Sequence, residues 1–173
     1  MNLIKRILRR KVLILGLLAI MFSANAQNKS YIANHTLIAS VLSQAYSIPA
    51  SVILAVATIE SSGGNGPAAK VLNNHFGMVG KNDIVNKAGH KSRYKQYQNE
   101  IESYIDFCKL MTRKRFYNKL KDNDNPMAWI KAISGCGYSE VPEEWEQKVI
   151  SVLSVVKTQV GKDFLSQRLA SIK

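Results

Sequence analysis

Cysteine and histidine are scarce in this chain, which has 173 residues but only two cysteines and three histidines. The cysteines form no CxxC pair, and His35, His75 and His90 are far apart in the sequence. Zinc ribbons and disulfide-rich scaffolds need several such residues at short spacings, so the composition excludes both classes. We expect the three histidines to be structural or solvated, with no metal and no other cofactor.

Acidic residues are also few: 12 Asp and Glu residues stand against 24 Lys and Arg residues. Five of the basic residues lie between positions 5 and 11, before an apolar run at residues 12–22 and the tripeptide Ala24-Asn25-Ala26. A basic region, a short apolar region and an A-x-A site together predict a secretory signal peptide at residues 1–26. An uncleaved N-terminal anchor is the alternative, although this apolar run is short for a bilayer span.

Removal of that segment would leave 19 basic and 12 acidic residues, a net charge of +7. The remaining length suits one domain with a substantial core, at residues 27–160, and a C-terminal tail at residues 161–173. We expect an exported monomer, in the periplasm or outside the cell, without a membrane span. An anionic polymer such as peptidoglycan fits this charge better than nucleic acid does. In an oxidising compartment we also expect a disulfide between Cys108 and Cys136.

Apolar residues recur at helical spacing through most of the chain and predict a mainly α fold. The helix predicted at residues 49–61 is apolar nearly all round, so it should be buried in the middle of the domain. Residues 74–98 have no helical period and predict a loop with a small β-hairpin or three-stranded flap. The other predicted helices cover residues 31–46, 68–73, 100–110, 116–120, 127–134 and 142–156, before a weakly patterned tail.

Glu60 stands at the end of the buried second helix, directly before two serines and two glycines. Burial penalises the ionised carboxylate, and the negative end of the helix dipole acts in the same direction, so both raise its pKa. A carboxylic acid that stays protonated near neutral pH is what a glycosidase needs as its general acid. The alternative is a surface glutamate in the last turn of a core helix, and this stretch alone leaves both interpretations open.

Further motifs surround Glu60. Ile48-Pro49-Ala50-Ser51 begins the helix that ends in Glu60-Ser61, and Asn73-Asn74-His75-Phe76-Gly77 follows it. In these motifs the chain resembles glycoside hydrolase family 73, the bacterial endo-β-N-acetylglucosaminidases of the flagellar-hydrolase and autolysin type, over about residues 31–157. Downstream, the same order continues with Tyr94-Lys95-Gln96-Tyr97, an acidic helix start at residues 100–104, Trp129 and Gly137-Tyr138-Ser139.

The resemblance implies a lysozyme-like α+β fold, in which a helical lobe and a small β-hairpin flap form a cleft for glycan strands. It implies cleavage of the β-1,4 bond after N-acetylglucosamine in peptidoglycan, with Glu60 as general acid and Tyr138 near the scissile sugar. Asparagine side chains can bind sugar hydroxyls and acetamides, and aromatic faces can pack on sugar rings. Capping and core packing are the alternatives, and we expect Asn73 to brace the turn after Glu60. The implied substrate-binding residues are Asn73, Asn74, Phe76, Gly77, Tyr94 and Tyr97.

The chain departs from the family pattern at the second carboxylate, which many members have in the hairpin. Asp83 is the only acid between residues 77 and 98, and it could activate a water molecule in an inverting reaction. Glu100 or Glu102 could also reach the cleft, although both are typical of a solvated helix start. The substrate's own acetamide could act instead and retain configuration. We favour the acetamide because the segment is so poor in acids.

Two other functions stay open. A lytic transglycosylase is also lysozyme-like and also uses a single Glu followed by Ser, but it typically has a G-x-M-Q turn. The turn at residues 74–79 reads Asn-His-Phe-Gly-Met-Val, which favours the glucosaminidase. A non-catalytic module that binds or assembles the cell wall with the same fold is the second alternative.

Overall fold

The computed structural model describes residues 26–83 and 92–170, although not the side chains of residues 163 and 167–169. The described part of the chain is mainly helical, as the apolar periodicity predicts. None of its helices is both long enough and apolar enough to cross a membrane. In chain order the helices are α1 (residues 26–46), α2 (Ala50–Glu60), α3 (Pro67–Leu72), α4 (Glu100–Thr112), α5 (Tyr117–Leu120), α6 (Pro126–Ser134) and α7 (Pro142–Ala170).

Helix α2 lies at the centre of the fold and packs against α4, α6 and α7. Its residues 52–58 are all buried, which is why the sequence there is apolar on every side. Thr58, the polar residue in that run, donates its hydroxyl to the Leu54 carbonyl oxygen at 2.7 Å. The buried hydroxyl is therefore satisfied within the helix, and the central position of α2 agrees with the prediction.

Helix α7 is longer than the apolar pattern predicts, because it continues through most of the expected tail. The buried face of its first half comprises Trp145, Val149, Val152, Leu153 and Val156. Beyond that half, large apolar side chains such as Phe164 and Leu165 are exposed. The second half lacks the apolar periodicity from which a helix is predicted, so the sequence gives no sign of this extension. It also contains no proline that would end the helix.

The β-hairpin flap predicted within residues 74–98 is not seen in the part of that segment that the structure describes. The β structure there is one isolated antiparallel bridge between Val79 and Tyr94. Residues 84–91, where the turn of a hairpin would fall, lie outside the described residues. Asn82 donates its side-chain amide to two carbonyl oxygens of the opposite segment, at 2.9 and 2.6 Å. Backbone hydrogen bonds from Gly80 to Arg93 and from Lys95 to Met78 flank the bridge, so a short antiparallel contact and the Asn82 side chain hold the two segments together.

Both cysteines are free thiols in the structure, which contradicts the predicted Cys108–Cys136 disulfide. Cys108 is buried in the core on α4, and burial raises its pKa to about 12. Cys136 follows α6 and donates its thiol to the Ile133 carbonyl oxygen at 3.1 Å. The two sulfur atoms therefore have separate surroundings, and Cys108 is a poor source of thiolate.

Candidate active site

Glu60 is the last residue of α2, and its carboxylate contacts a second helix. Trp145, in the first turn of α7, donates its indole N–H to Glu60 Oε1 at 2.6 Å. Burial raises the pKa of Glu60, and the Trp145 hydrogen bond opposes that rise. The direction of the shift is the one that the sequence predicts from burial of a carboxyl group at this helix end.

The chain turns sharply between α2 and α3. Ser62, Gly63 and Gly64 all have left-handed φ angles, between 51° and 79°. Ser61 stabilises the turn, because its hydroxyl oxygen accepts the Gly64 N–H at 2.9 Å. A Cβ atom at Gly64 would lie 2.9 Å from the ring of Tyr31, so glycine here lets α1 pack against the turn. The Ser-Ser-Gly-Gly sequence thereby ends α2 at the carboxylate.

The Asn-Asn-His-Phe-Gly turn comes close to the other side of Glu60. Gly77 has a φ of +66°, and a Cβ atom on it would lie 3.3 Å from Glu60 Oε2. Glycine is needed here for two reasons, the left-handed backbone and the short distance to the carboxylate. With Trp145 on Oε1 and Gly77 beside Oε2, each carboxylate oxygen has a defined neighbour.

Asn73 and Asn74 direct their side chains to backbone groups. Asn73 has a left-handed φ at the end of α3 and donates to two carbonyl oxygens just before α4, both at 3.1 Å. Asn74 donates to the carbonyl oxygens of Met78 and Lys95, both at 2.8 Å, and its own oxygen accepts the Met78 N–H at 3.0 Å. These contacts agree with the structural alternative, and Asn73 braces the approach to α4 rather than the turn after α2.

A hydrogen bond joins the Tyr138 side chain to the backbone of Phe76. The Phe76 ring is buried and stacks on Phe107 with 4.4 Å between the ring centroids, so its side chain belongs to the core. The Phe76 carbonyl oxygen accepts the Tyr138 hydroxyl at 2.8 Å, and the Tyr138 ring centroid is 5.4 Å from that of Trp145. Burial, with the charge of Glu60, raises the pKa of Tyr138 well above its usual value. Tyr138 therefore stays protonated and donates its hydroxyl to the Phe76 backbone.

Two cavities meet at Glu60. They measure about 640 and 760 Å³, and Glu60, Ser139 and Val141 line both of them. Together they make an open groove across the end of α2, with the carboxylate where its two halves join. Basic side chains line both halves: Lys148 in the first, and Arg93 and Lys114 in the second.

The structure separates the two tyrosines of the Tyr-Lys-Gln-Tyr segment. Tyr94 is partly exposed and lines the second half of the groove, as do Gly77 and Tyr138. Tyr97 is buried and donates its hydroxyl to Asp106 at 2.8 Å. The Tyr94 ring therefore faces the groove, whereas Tyr97 packs in the interior and is bound to α4 through Asp106.

The candidate second carboxylates are not grouped around Glu60. Asp83 is exposed and does not line either half of the groove. Glu102 accepts a backbone N–H just before α4, and Glu100 faces two histidines. Glu140, to which no sequence pattern points, lines the second half. The described residues of the groove therefore include one part-buried carboxylate, Glu60, and one exposed carboxylate, Glu140.

Trp145 is the main site residue that sequence reasoning misses. It lies 85 residues after Glu60, and its spacing to Val149 and Val152 is simply that of a helix face packed in the core. Such spacing does not distinguish a tryptophan that only packs from one whose N–H reaches a carboxylate. Residue type is the one available signal, because a buried indole N–H usually has an acceptor.

A family model matches most of the chain. The glucosaminidase family, described as mannosyl-glycoprotein endo-beta-N-acetylglucosaminidase, matches residues 37–158. The matched range contains Glu60, the Asn-Asn-His-Phe-Gly turn, Tyr138 and Trp145. No curated protein matches the chain.

Solved structures with a similar fold come from two bacteria. One chain in the structure of a type VI secretion system effector–immunity complex from Pseudomonas protegens is 17% identical to this chain. The TM-score is 0.61, and the match covers 79% of this chain and 96% of that chain. The glycoside hydrolase domain of FlgJ from Salmonella typhimurium is 22% identical, with a TM-score of 0.58 over 83% of this chain and 98% of that chain. A C-terminally truncated form of that domain is 21% identical, with a TM-score of 0.59, and the match covers 76% of this chain and 98% of that chain. At these identities the likeness shows that this chain shares its fold with those domains.

Proposed function

The chain belongs to the glucosaminidase family, glycoside hydrolase family 73, as its motifs indicate, and we propose that it hydrolyses the β-1,4 bond after N-acetylglucosamine in peptidoglycan. In this proposal Glu60 is the general acid. The observation that carries it is the Glu60 carboxylate, whose pKa is raised by burial and which lies where the two halves of the groove join. Glycoside hydrolysis requires a protonated carboxylic acid at the scissile bond.

The contacts of Glu60 favour one oxygen as the proton donor. Oε1 accepts the Trp145 N–H, so a proton on the carboxyl group belongs on Oε2. Oε2 lies on the Gly77 side, and the absence of a side chain there leaves room beside it for a glycosidic oxygen. In our proposal Tyr138 positions these groups, because its hydroxyl binds the Phe76 carbonyl and its ring lies against Trp145.

We infer that the second catalytic group is the acetamide of the substrate. Glu60 protonates the glycosidic oxygen as the C1–O bond of the N-acetylglucosamine breaks. The acetamide carbonyl oxygen of that N-acetylglucosamine then bonds to its C1. Water then attacks C1 and gives a proton to the Glu60 carboxylate while the acetamide re-forms, so configuration is retained. Residues 84–91 contain no Asp or Glu, and Glu140 is exposed and ion-paired with Arg93 at 3.5 Å. These facts favour the acetamide over a second carboxylate.

Charge along the groove supports peptidoglycan as the substrate. Arg93, Lys114 and Lys148 line its two halves, and peptide stems of peptidoglycan carry carboxylates that such residues attract. We propose that residues 1–26, of which only residue 26 is described, are a signal peptide that directs the protein to the periplasm or the outside of the cell. There the domain at residues 27–160 acts as a monomer.

The products released from purified peptidoglycan test this function. Mass spectrometry of the soluble fragments should find reducing N-acetylglucosamine ends. Fragments that end in 1,6-anhydromuramic acid would instead identify a lytic transglycosylase. No release from any peptidoglycan, together with tight binding to it, would identify a non-catalytic wall-binding module.

A further inference from the structure

Two histidines and a glutamate from three separate elements meet on one side of the fold. His35 comes from α1, His75 from the Asn-Asn-His-Phe-Gly turn, and Glu100 begins α4. Nε2 of His35 lies 3.2 Å from Glu100 Oε2, and Nε2 of His75 lies 3.6 Å from the same oxygen. From this arrangement we propose that the three residues bind a divalent transition-metal ion of the Zn²⁺ type.

Two of the three distances between the ligand atoms are close to those around a tetrahedral ion. Zinc lies about 2.0–2.2 Å from nitrogen and oxygen ligands, which puts neighbouring ligand atoms roughly 3.3–3.5 Å apart at tetrahedral angles. The separations of 3.2 and 3.6 Å fall on either side of that range, and all three atoms lie within 4.8 Å of one another. Small side-chain movements would therefore complete the geometry.

The other nitrogen of each imidazole already has a hydrogen-bond partner. Nδ1 of His35 donates to the Tyr31 backbone carbonyl oxygen at 2.7 Å. Nδ1 of His75 lies 2.7 Å from the Tyr31 hydroxyl, which is itself 2.7 Å from the Tyr104 hydroxyl. Metal-binding histidines commonly donate their second ring N–H to a carbonyl or a similar acceptor, which fixes the tautomer and the ring orientation. The carbonyl partner places a proton on Nδ1 of His35, and in our proposal His75 likewise donates from Nδ1 to the Tyr31 hydroxyl, so that both Nε2 lone pairs face Glu100.

Ring packing and exposure define what kind of site this is. The His35 ring stacks on Tyr31 with centroids 4.0 Å apart, so it has little freedom to turn away. The two histidine side chains are 11% and 6% exposed, whereas that of Glu100 is 49% exposed. A fourth ligand position would therefore face water on the Glu100 side. Two imidazoles and one carboxylate favour zinc and its neighbours over magnesium or calcium, which prefer oxygen ligands.

Such an ion would connect α1, the turn that carries Gly77, and the start of α4. It would stabilise the packing of these three elements without taking part in the chemistry at Glu60. This inference is independent of the proposed function, because the three ligands do not line the groove. The competing explanation is a simple ion pair between Glu100 and a protonated imidazole, with no ion bound.

Direct Zn²⁺ binding tests the site. The untagged, exported protein is stripped with a chelator and titrated with zinc chloride, with calorimetry and thermal unfolding as readouts. We expect one Zn²⁺ per chain and a Tm that rises by roughly 5–10 °C when Zn²⁺ is at a hundredfold excess over its Kd. A protein that binds no stoichiometric Zn²⁺, Co²⁺ or Ni²⁺ would overturn the proposal.

Glu100→Gln and Glu102→Gln form a matched pair for locating the ion. Both changes remove one charge from the first turn of α4, but only Glu100 belongs to the cluster. We expect Glu100→Gln to weaken Zn²⁺ binding at least tenfold and Glu102→Gln to leave it within about twofold, with Kd measured by competition against a chromophoric chelator. His35→Gln should behave like Glu100→Gln. Equal effects of the two glutamate changes, or none from either, would place the ion elsewhere and reject the site.

Discussion

Each oxygen of the Glu60 carboxylate has a different neighbour, and this difference underlies its chemistry. Oε1 accepts the Trp145 N–H at 2.6 Å, and Oε2 faces the backbone of Gly77. Burial raises the pKa of Glu60 and the hydrogen bond opposes that rise, so in the proposed role of Glu60 the balance between them sets the pH at which it can donate a proton. Substitutions at Trp145 and at Gly77 separate the effects of the two neighbours.

Trp145→Phe removes the N–H donor to Glu60. Because that hydrogen bond holds the pKa of Glu60 down, its loss should raise the pKa further. A general acid works in its protonated form, so the alkaline limb of kcat/KM should move to higher pH. Trp129→Phe is the matched control, since Trp129 is equally buried but donates to the Asn123 carbonyl oxygen. An unmoved alkaline limb in Trp145→Phe, or the same movement in the control, would contradict this assignment.

Gly77→Ala should damage the site more than it damages the fold. The added Cβ would lie 3.3 Å from Glu60 Oε2, and the left-handed backbone adds strain of about 1 kcal/mol. We expect a fall in kcat/KM of at least about tenfold, since small displacements of catalytic groups are costly. Gly137→Ala has a similar φ of +75° but no heavy atom within 4 Å of the new Cβ. It should lower Tm by a similar amount with a much smaller loss of activity, and equal losses of activity would argue against the close contact.

The acetamide mechanism predicts the anomer that is released first. Early products followed by NMR should retain the β configuration, and a thiazoline analogue of the bicyclic intermediate should inhibit. Asp83→Asn and Glu140→Gln should each keep activity within about threefold, because neither carboxylate takes part. Inverted products, with a loss of 10²-fold or more in one of these variants, would identify that residue as the base.

Among the secondary-structure elements, the helices are more predictable from the sequence than the segment at residues 74–98, between α3 and α4. The helix ending in Glu60 was located from its apolar run and the proline before it, because burial on all sides leaves a strong sequence signal. The predicted β-hairpin flap is not seen as strands within the described residues, where the antiparallel pairing is limited to the Val79–Tyr94 bridge and the backbone hydrogen bonds beside it, and where Asn74 and Asn82 add side-chain hydrogen bonds to backbone carbonyl oxygens. The Cys108–Cys136 disulfide is also absent from the structure, because an oxidising compartment does not determine whether two thiols face each other.

The exposed half of α7 should be dispensable. The last fully buried side chain of that helix is Val156, and residues beyond 160 contribute little to the described core. A chain that ends at Val160 should keep its activity and lose no more than roughly 3 °C in Tm. A chain that ends at Ser151 lacks the buried residues at 152, 153 and 156 and should not fold, which circular dichroism can show. Loss of folding in the longer truncation would place the domain boundary further along the helix.

At the scale of the whole molecule, the groove depends on contacts between residues far apart in the chain. Glu60 was singled out from sequence because its helix end carries a local signal. Trp145 was not, because it reaches the carboxylate across 85 residues. In the same way His35, His75 and Glu100 carry no local metal motif, although folding brings one ligand atom of each within 4.8 Å of the others. Sequence periodicity reports which residues are buried, whereas tertiary packing decides which buried polar groups meet.

The most direct test of the central claim compares Glu60→Gln with the wild-type protein in muropeptide release from purified peptidoglycan. Glutamine keeps an acceptor for the Trp145 N–H but has no acidic proton to donate. Since the folded pKa of Glu60 is raised, wild-type stability should fall as pH rises through that pKa, so the variant should be at least as stable at neutral pH. We predict that release falls roughly 10²–10⁴-fold while binding to peptidoglycan is retained. Release at close to the wild-type rate would contradict the role of Glu60 as general acid.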